Sequence, residues 1–469
     1  MNIRKYIGDK NFYKMVFAVA VPIMIQNGIT NFVALLDNIM VGQIGTEQMS
    51  GTSVVNQLLF VFNLCLFGVL AGPGIFGAQF FGSGSTEGVR QVFRFKIAAS
   101  VFVLAAGMMI LSFFGDVLIS AYLTGDSVTG DRNLILRSGQ DYLRIMLIGL
   151  IPFTITQAYA STLRETNRTV PPMCAGLTAV LANLVLDWIF IFGHFGIPAM
   201  GVKGAAIATV AARFIECAIV VIYTHSNSGK NQFIKGAFRS MKIPRELAVK
   251  IIIGGLPLAV NEGLWSSGMA FLTQCYSRRG LDVVAAKNIE STIFNVFAVV
   301  FIALGSSVGI IIGQILGSGD LERARDADRK LMFFSTAAGF VTGGIMVSLS
   351  GIFPMFYNTT DQVRSLASQL IIISGSFMPM HSFLNAAYFT LRSGGRTLVT
   401  FLFDSVYVWC VTVPSALLLV TFTDFDIRTV YLLCQCVDII KVTIGFILVK
   451  KGVWIRSIVP AENSAHAEI

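Results

Sequence analysis

Apolar stretches recur along the whole chain, at about 15–41, 53–80, 94–115, 139–162, 170–193, 201–223, 248–275, 284–314, 331–353, 365–389, 398–421 and 428–449. Each is long enough to cross a hydrocarbon layer of about 30 Å as a helix rising about 1.5 Å per residue. The short alternating runs of a transmembrane barrel are missing. The pattern predicts an all-α integral membrane protein with twelve spans. The apolar stretch from Phe17 is too long for a cleavable leader and runs into Asp37. The first segment is therefore expected to stay in the membrane.

Composition points the same way. Hydrophobic residues make up 54% of the 469 positions and charged residues 13%, against roughly 25% charged in soluble domains. Soluble enzymes, disordered chains and coiled coils are poor fits, because a soluble core of this size needs far more polar cover. The seven cysteines fall in or beside apolar runs, and Cys434-x-Cys436 has no second ligand pair. They read as small buried apolar residues, not as disulfides or a zinc site. The net charge of +9 would suit a nucleic-acid partner, but its placement points elsewhere. With the N-terminus inside, the inward segments carry 24 Lys and Arg and the outward ones 7. That asymmetry predicts both termini in the cytoplasm of a plasma (inner) membrane protein. Arg278-Arg279 is the one local conflict, and no nucleic acid is expected as a partner.

The chain also repeats itself. Gly74-Ile-Phe-Gly-Ala-Gln79-Phe-Phe-Gly82-Ser-Gly84 resembles Gly309-Ile-Ile-Ile-Gly-Gln314-Ile-Leu-Gly317-Ser-Gly319, 235 residues later. The same offset pairs Pro22 with Pro257 and Arg90 with Arg325. Thr162-Leu163-Arg164 and Arg168 match Thr390-Leu391-Arg392 and Arg396 at an offset of 228. The chain then divides into a six-helix lobe at 1–224, a basic and polar cytoplasmic linker at 225–247, and a second six-helix lobe with a short tail at 248–469. Six spans is an even number, so both lobes keep the same orientation. They should be related by a pseudo-two-fold axis along the membrane normal and face each other across a central cleft, the plan of a rocking transporter.

Ionisable groups within spans are costly, about 2.5–3.5 kcal/mol at mid-membrane, so each needs a reason. Asp37 lies in the first span; Asn183 and Asp187, four apart on one helix face, lie in the fifth at similar depth. They form a cation or proton site, or each is interfacial and caps a helix end; spacing leaves both open. Pro22 and Gly28 interrupt the first span and make it a candidate hinge. Glu262 follows Pro257 in the seventh span and should face a cleft, not lipid. Arg213 with Glu216, Lys287 with Glu290 and Asp438 with Lys441 are expected to neutralise each other at three-residue spacing. Asp404 is read as structural, with Arg396 eight residues before it. His381 in the tenth span is a candidate proton carrier. HExxH, GxSxG and Walker A patterns are absent, so the chain is not read as an enzyme. The GxGxxG match at Gly72–Gly77 lies inside a span, without a preceding strand, and reads as helix contact. Without an ATP site, uphill transport would draw on an ion gradient.

Several motifs together resemble the multidrug and toxic compound extrusion (MATE) family, prokaryotic type, along nearly the full length. They are Pro22 with Leu36-Asp37-Asn38-Ile39-Met40-Val41-Gly42-Gln43-Ile44-Gly45, Gly77-x-Gln79 with Gly82, Asn183-Leu-Val-Leu-Asp187, Gly204-Ala-Ala-Ile-Ala-Thr209 and Leu391-Arg392-Ser-Gly-Gly395. The resemblance implies twelve helices in two lobes. It implies export of organic cations or amphiphilic compounds by Na⁺ or H⁺ antiport, with alternating access. It also implies a first-lobe cation- or proton-coupling site at Asp37, Asn183, Asp187 and Thr209. Any metal would be Na⁺ at those four residues, and no other cofactor is expected. Glu262, His381 and Trp265 are the substrate-cleft candidates; some relatives carry an acid near the position of Trp265 and another where this chain has His381. The expected partners are a small-molecule substrate and membrane lipid, with the chain acting as a monomer. A flippase for lipid-linked oligosaccharides is the alternative, though its extra spans and basic cavity are not evident here.

Overall fold

The fold is that of a computed structural model in which residues 5–122 and 131–459 are described, the side chains of 33–39 excepted. The described residues form helices, turns and loops, with no strand. Twelve helices are long and apolar enough to span a membrane. They are α1 (Lys10–Gly42), α2 (Thr46–Gly82), α3 (Thr86–Tyr122), α4 (Arg132–Glu165), α5 (Val170–Phe192), α6 (Val202–Ser226), α7 (Arg245–Ser277), α8 (Leu281–Gly317), α9 (Leu321–Ser348), α10 (Asp361–Ser393), α11 (Thr397–Phe422) and α12 (Ile427–Lys450). All twelve predicted spans are present. The helices extend beyond the apolar runs at most ends, because the first and last turns carry the polar residues that meet water and headgroups. Large aromatic side chains on outward faces, such as Phe102, Phe113 and Phe340, are exposed, as lipid contact requires.

The chain forms two compact units. One holds Ile25–Gly77 and Thr86–Val249; it is called the first-half unit below. The other, the second-half unit, joins Lys250–Ile469 to Met1–Met24 and Ala78–Ser85. Helix α1 thus divides its residues between the units two positions after Pro22.

In the first-half unit, Leu59, Leu66, Leu143, Met146, Leu150 and Ala206 are among the residues of one apolar core. A buried ion pair braces it: Lys96 of α3, 0% exposed, donates to both carboxylate oxygens of Glu165 at 2.6 Å. The Ser161 and Thr162 hydroxyls accept from the same ammonium at 3.2 Å. Gly74 and Gly77 make room for that carboxylate; a Cβ at Gly77 would stand 2.2 Å from Glu165 Oε2. The glycines of the GxGxxG match therefore serve a helix contact. The polar stretch after α6 is packed down on α3: Arg94 donates to the carbonyls of Ala237 at 2.8 Å and Gly236 at 3.0 Å.

In the second-half unit, the two copies of the repeated motif touch each other. A Cβ on Gly82 would lie 1.9 Å from the Gln314 carbonyl oxygen, and one on Gly317 would lie 1.9 Å from that of Gln79. Only glycine permits this reciprocal backbone approach. Gln79, fully buried, also holds the segment after α12. Its Nε2 donates to the Ser393 carbonyl at 2.9 Å, and its Oε1 accepts from the Ile458 amide at 2.8 Å. Helix α11 carries two π-helical turns, Leu402–Val406 and Val408–Thr412.

Candidate functional site

The buried face of α5 is a stripe at every fourth residue: Ala175, Ala179, Asn183, Asp187, Ile191. Four-residue spacing keeps one side of a helix inward. Two alanines and an isoleucine fit an apolar interior, while an amide and a carboxylate do not, unless they are bonded. Asp187 is 1% and Asn183 6% exposed, and Asn183 Nδ2 donates to Asp187 Oδ2 at 2.8 Å. Their i, i+4 pairing is as the spacing implies. Asp37 lies on α1, and its side chain is among those not described. Thr209 on α6 is half-buried, and its hydroxyl donates to the Ala205 carbonyl one turn back at 3.0 Å. Of the four coupling candidates, the described hydrogen bonds join Asn183 and Asp187.

The hinge candidates fall in an unbroken helix assignment. Pro22 is buried within α1, and the space where a Gly28 side chain would stand is empty to 4 Å.

The second-half unit holds a longer polar chain. Tyr388 of α10 donates to Glu262 Oε1 at 3.5 Å and accepts from Asn261 Nδ2 at 3.4 Å. That same amide donates to Asp404 Oδ2 at 3.0 Å, and Lys441 donates to Asp404 Oδ1 at 2.8 Å. Ser405 donates to Asn261 Oδ1 at 2.6 Å. Glu262 is half-buried and Trp265, one turn on, is 40% exposed. His381 sits edge-on to the Phe294 ring at 5.6 Å and is not hydrogen-bonded to Glu262.

Three expectations about ion pairs meet different outcomes. Lys287 and Glu290 do pair, with Ser374 and Tyr431 completing the carboxylate's bonds. Lys441 does not pair with Asp438; it reaches across to Asp404 on α11, which makes Asp404 a partner of Lys441 and not of Arg396. Arg213 forms no ion pair with Glu216 and lies 5.0 Å over the Phe153 ring. Three-residue spacing allows a pair within one helix, but a carboxylate or ring on a neighbouring helix competes for the same cation. Sequence reasoning also missed Lys96 with Glu165. Lys96 lies inside the apolar run at 94–115, and that was the available signal.

The MatE family model matches residues 22–189 and 257–418. The chain belongs to the MatE family. The two matches begin 235 residues apart, at Pro22 and Pro257, which is the offset of the internal repeat. This MatE chain is 27% identical over 452 residues to the "Probable multidrug resistance protein NorM" of Thermotoga maritima, covering 94% of this chain and 93% of that one. It is 22% identical to the "Probable multidrug resistance protein YoeA" of Bacillus subtilis, covering 88% of each. Among solved structures, one of an outward-facing multidrug resistance MATE family transporter superposes with a TM-score of 0.85 at 17% identity, covering 96% of this chain and 97% of that one. A crystal structure of MATE in complex with MaL6 gives 0.84 at 17% identity, covering 96% and 98%. The MatE chain is a multi-pass membrane transporter.

Proposed function

We propose that this transporter exports organic cations or amphiphilic drug-like compounds in exchange for Na⁺ or H⁺, by alternating access, with both termini in the cytoplasm. The observation that carries the reading is the buried Asn183–Asp187 pair on a membrane-spanning helix. Hard cations and protons both seek carboxylate and amide oxygen. Asp37 and Thr209 complete the site from α1 and α6. An ion bound there shifts the transport equilibrium only by its differential affinity for two states, and α1, which carries Pro22 within an unbroken helix, is the element that responds. Glu262 supplies the carboxylate that attracts a cationic substrate. The names of the relatives support drug efflux as the activity.

The test is dye efflux from proteoliposomes under an imposed Na⁺ gradient, a proton gradient, or both. Gradient-driven efflux that Asp37→Asn abolishes is the expected result. Wild-type pumping by that variant, with unchanged ion dependence, would remove the site from the mechanism.

A further inference from the structure

Lys441 is one cation between two acids. It is 8% exposed, and its ammonium lies on Asp404 Oδ1 at 2.8 Å. Asp438 stands one turn earlier on the same helix, close enough to be an alternative partner. As described, Asp438 accepts a hydrogen bond from the Thr412 hydroxyl at 3.2 Å, and no basic nitrogen lies within 4 Å of it among the described residues. The other titratable groups facing these three are Tyr407 of α11, Glu262 and Tyr276 of α7, and His381 and Tyr388 of α10. Cys434 faces Asp438 from α12 itself.

The first-half unit is an internal control. At the repeat offset of 228, Asp404 falls on Gly176; α6 and α12, aligned from their first residues, place Arg213 and Glu216 where α12 has Asp438 and Lys441. The fold therefore does not require two acids and a lysine here. The backbone differs at the same place. Helix α5 is a regular α-helix of 23 residues, whereas α11 takes 26, and its two π-helical turns carry Asp404 and Thr412. Such insertions gather at functional sites because they re-aim side chains.

We propose that Asp404, Asp438 and Lys441 form a proton-binding switch in the second-half unit, in which one ammonium serves two carboxyl groups and the carboxyl without it holds a proton. A carboxylate with no cation is far more costly in a low-dielectric interior than a protonated one. In the arrangement seen, Lys441 neutralises Asp404 and the proton resides on Asp438. When the ammonium swings to Asp438, that carboxyl gives its proton to water and Asp404 takes one up. One O–H bond is made for each one broken, and the lysine N–H bonds stay intact. The two arrangements hold the same number of protons and differ in the tie between α11 and α12; a proton gradient biases them because Asp438 gives its proton to one side of the membrane and Asp404 takes its proton from the other. The switch is independent of the site at Asp187.

The experiment is infrared difference spectroscopy on the purified full chain in lipid vesicles, between neutral and alkaline buffer, reading the carbonyl stretch of protonated carboxyl groups. Asp438→Asn should remove one carboxyl's share of that band. Lys441→Met should enlarge it, because both acids then lose their cation. Thr412→Val, which leaves every charge in place, should shift its frequency. Proton-driven dye efflux should fall about tenfold in Asp438→Asn. A band of wild-type amplitude in Asp438→Asn, or no added band in Lys441→Met, would overturn the switch. Asp187→Asn should lose gradient response while keeping the Asp438 band, which separates this proposal from the first-half site.

Discussion

At the scale of single residues, burial in a membrane protein turns each polar atom into a commitment. Asp187 and Asn183 satisfy each other on one face of α5. Asp187→Asn keeps the shape and removes the charge, so it should fold, insert, and lose ion-driven efflux; transport assays with either gradient check this. Glu262 accepts a hydrogen bond from the Tyr388 hydroxyl. Glu262→Gln should weaken export of cationic dyes more than of neutral ones, read as separate efflux rates. Lys96 and Glu165 behave differently, because each is the other's charge partner in the interior. Glu165→Ala would strand the ammonium and should cost about 3–5 kcal/mol in stability, measured as a fall in the unfolding midpoint in detergent. The double change Lys96→Met with Glu165→Leu should recover most of that loss. The i, i+4 pair at Asn183 and Asp187 was legible because both partners sit on one helix. The partners of Lys96, Lys441 and Arg213 were not, because they lie on neighbouring helices or rings that spacing along one chain does not bring into view.

At the scale of elements, small residues decide where helices approach. The ends of α2 and α8 cross with Gly82 against the Gln314 carbonyl and Gly317 against the Gln79 carbonyl. Gly317→Ala has no flexible side chain to push aside, only backbone, and should destabilise the second-half unit by about 1–3 kcal/mol. Thermal unfolding of the purified chain is the check. The glycines were visible as a repeated motif, but their purpose was not, since the two copies are 235 residues apart. Gln79 shows the same limit. Its amide grips Ser393 and Ile458, and nothing near residue 79 in the sequence points to either. The π-helical turns of α11 were also invisible, because an apolar run reads alike whether its backbone bonds skip four residues or five.

At the scale of the whole molecule, twelve spans and the basic asymmetry set the expected topology. A cysteine placed at Gly196, in the α5–α6 loop, should react with an impermeant reagent added outside cells, and one placed at Gly229 should not. Reaction at Gly229 would reverse the assignment of the termini. The number of helices, their order, the two-fold repeat and the MatE family were all determined by the sequence itself. The reason is that lipid offers backbone groups no hydrogen bonds, so each crossing must be a long apolar helix that announces itself. Tertiary structure alone decided which buried charges meet. Lys441 chooses Asp404 over Asp438, and Lys96 reaches Glu165. Those choices depend on how helices distant in the chain lie side by side, and a low-dielectric interior makes the winning contact worth far more than the local one.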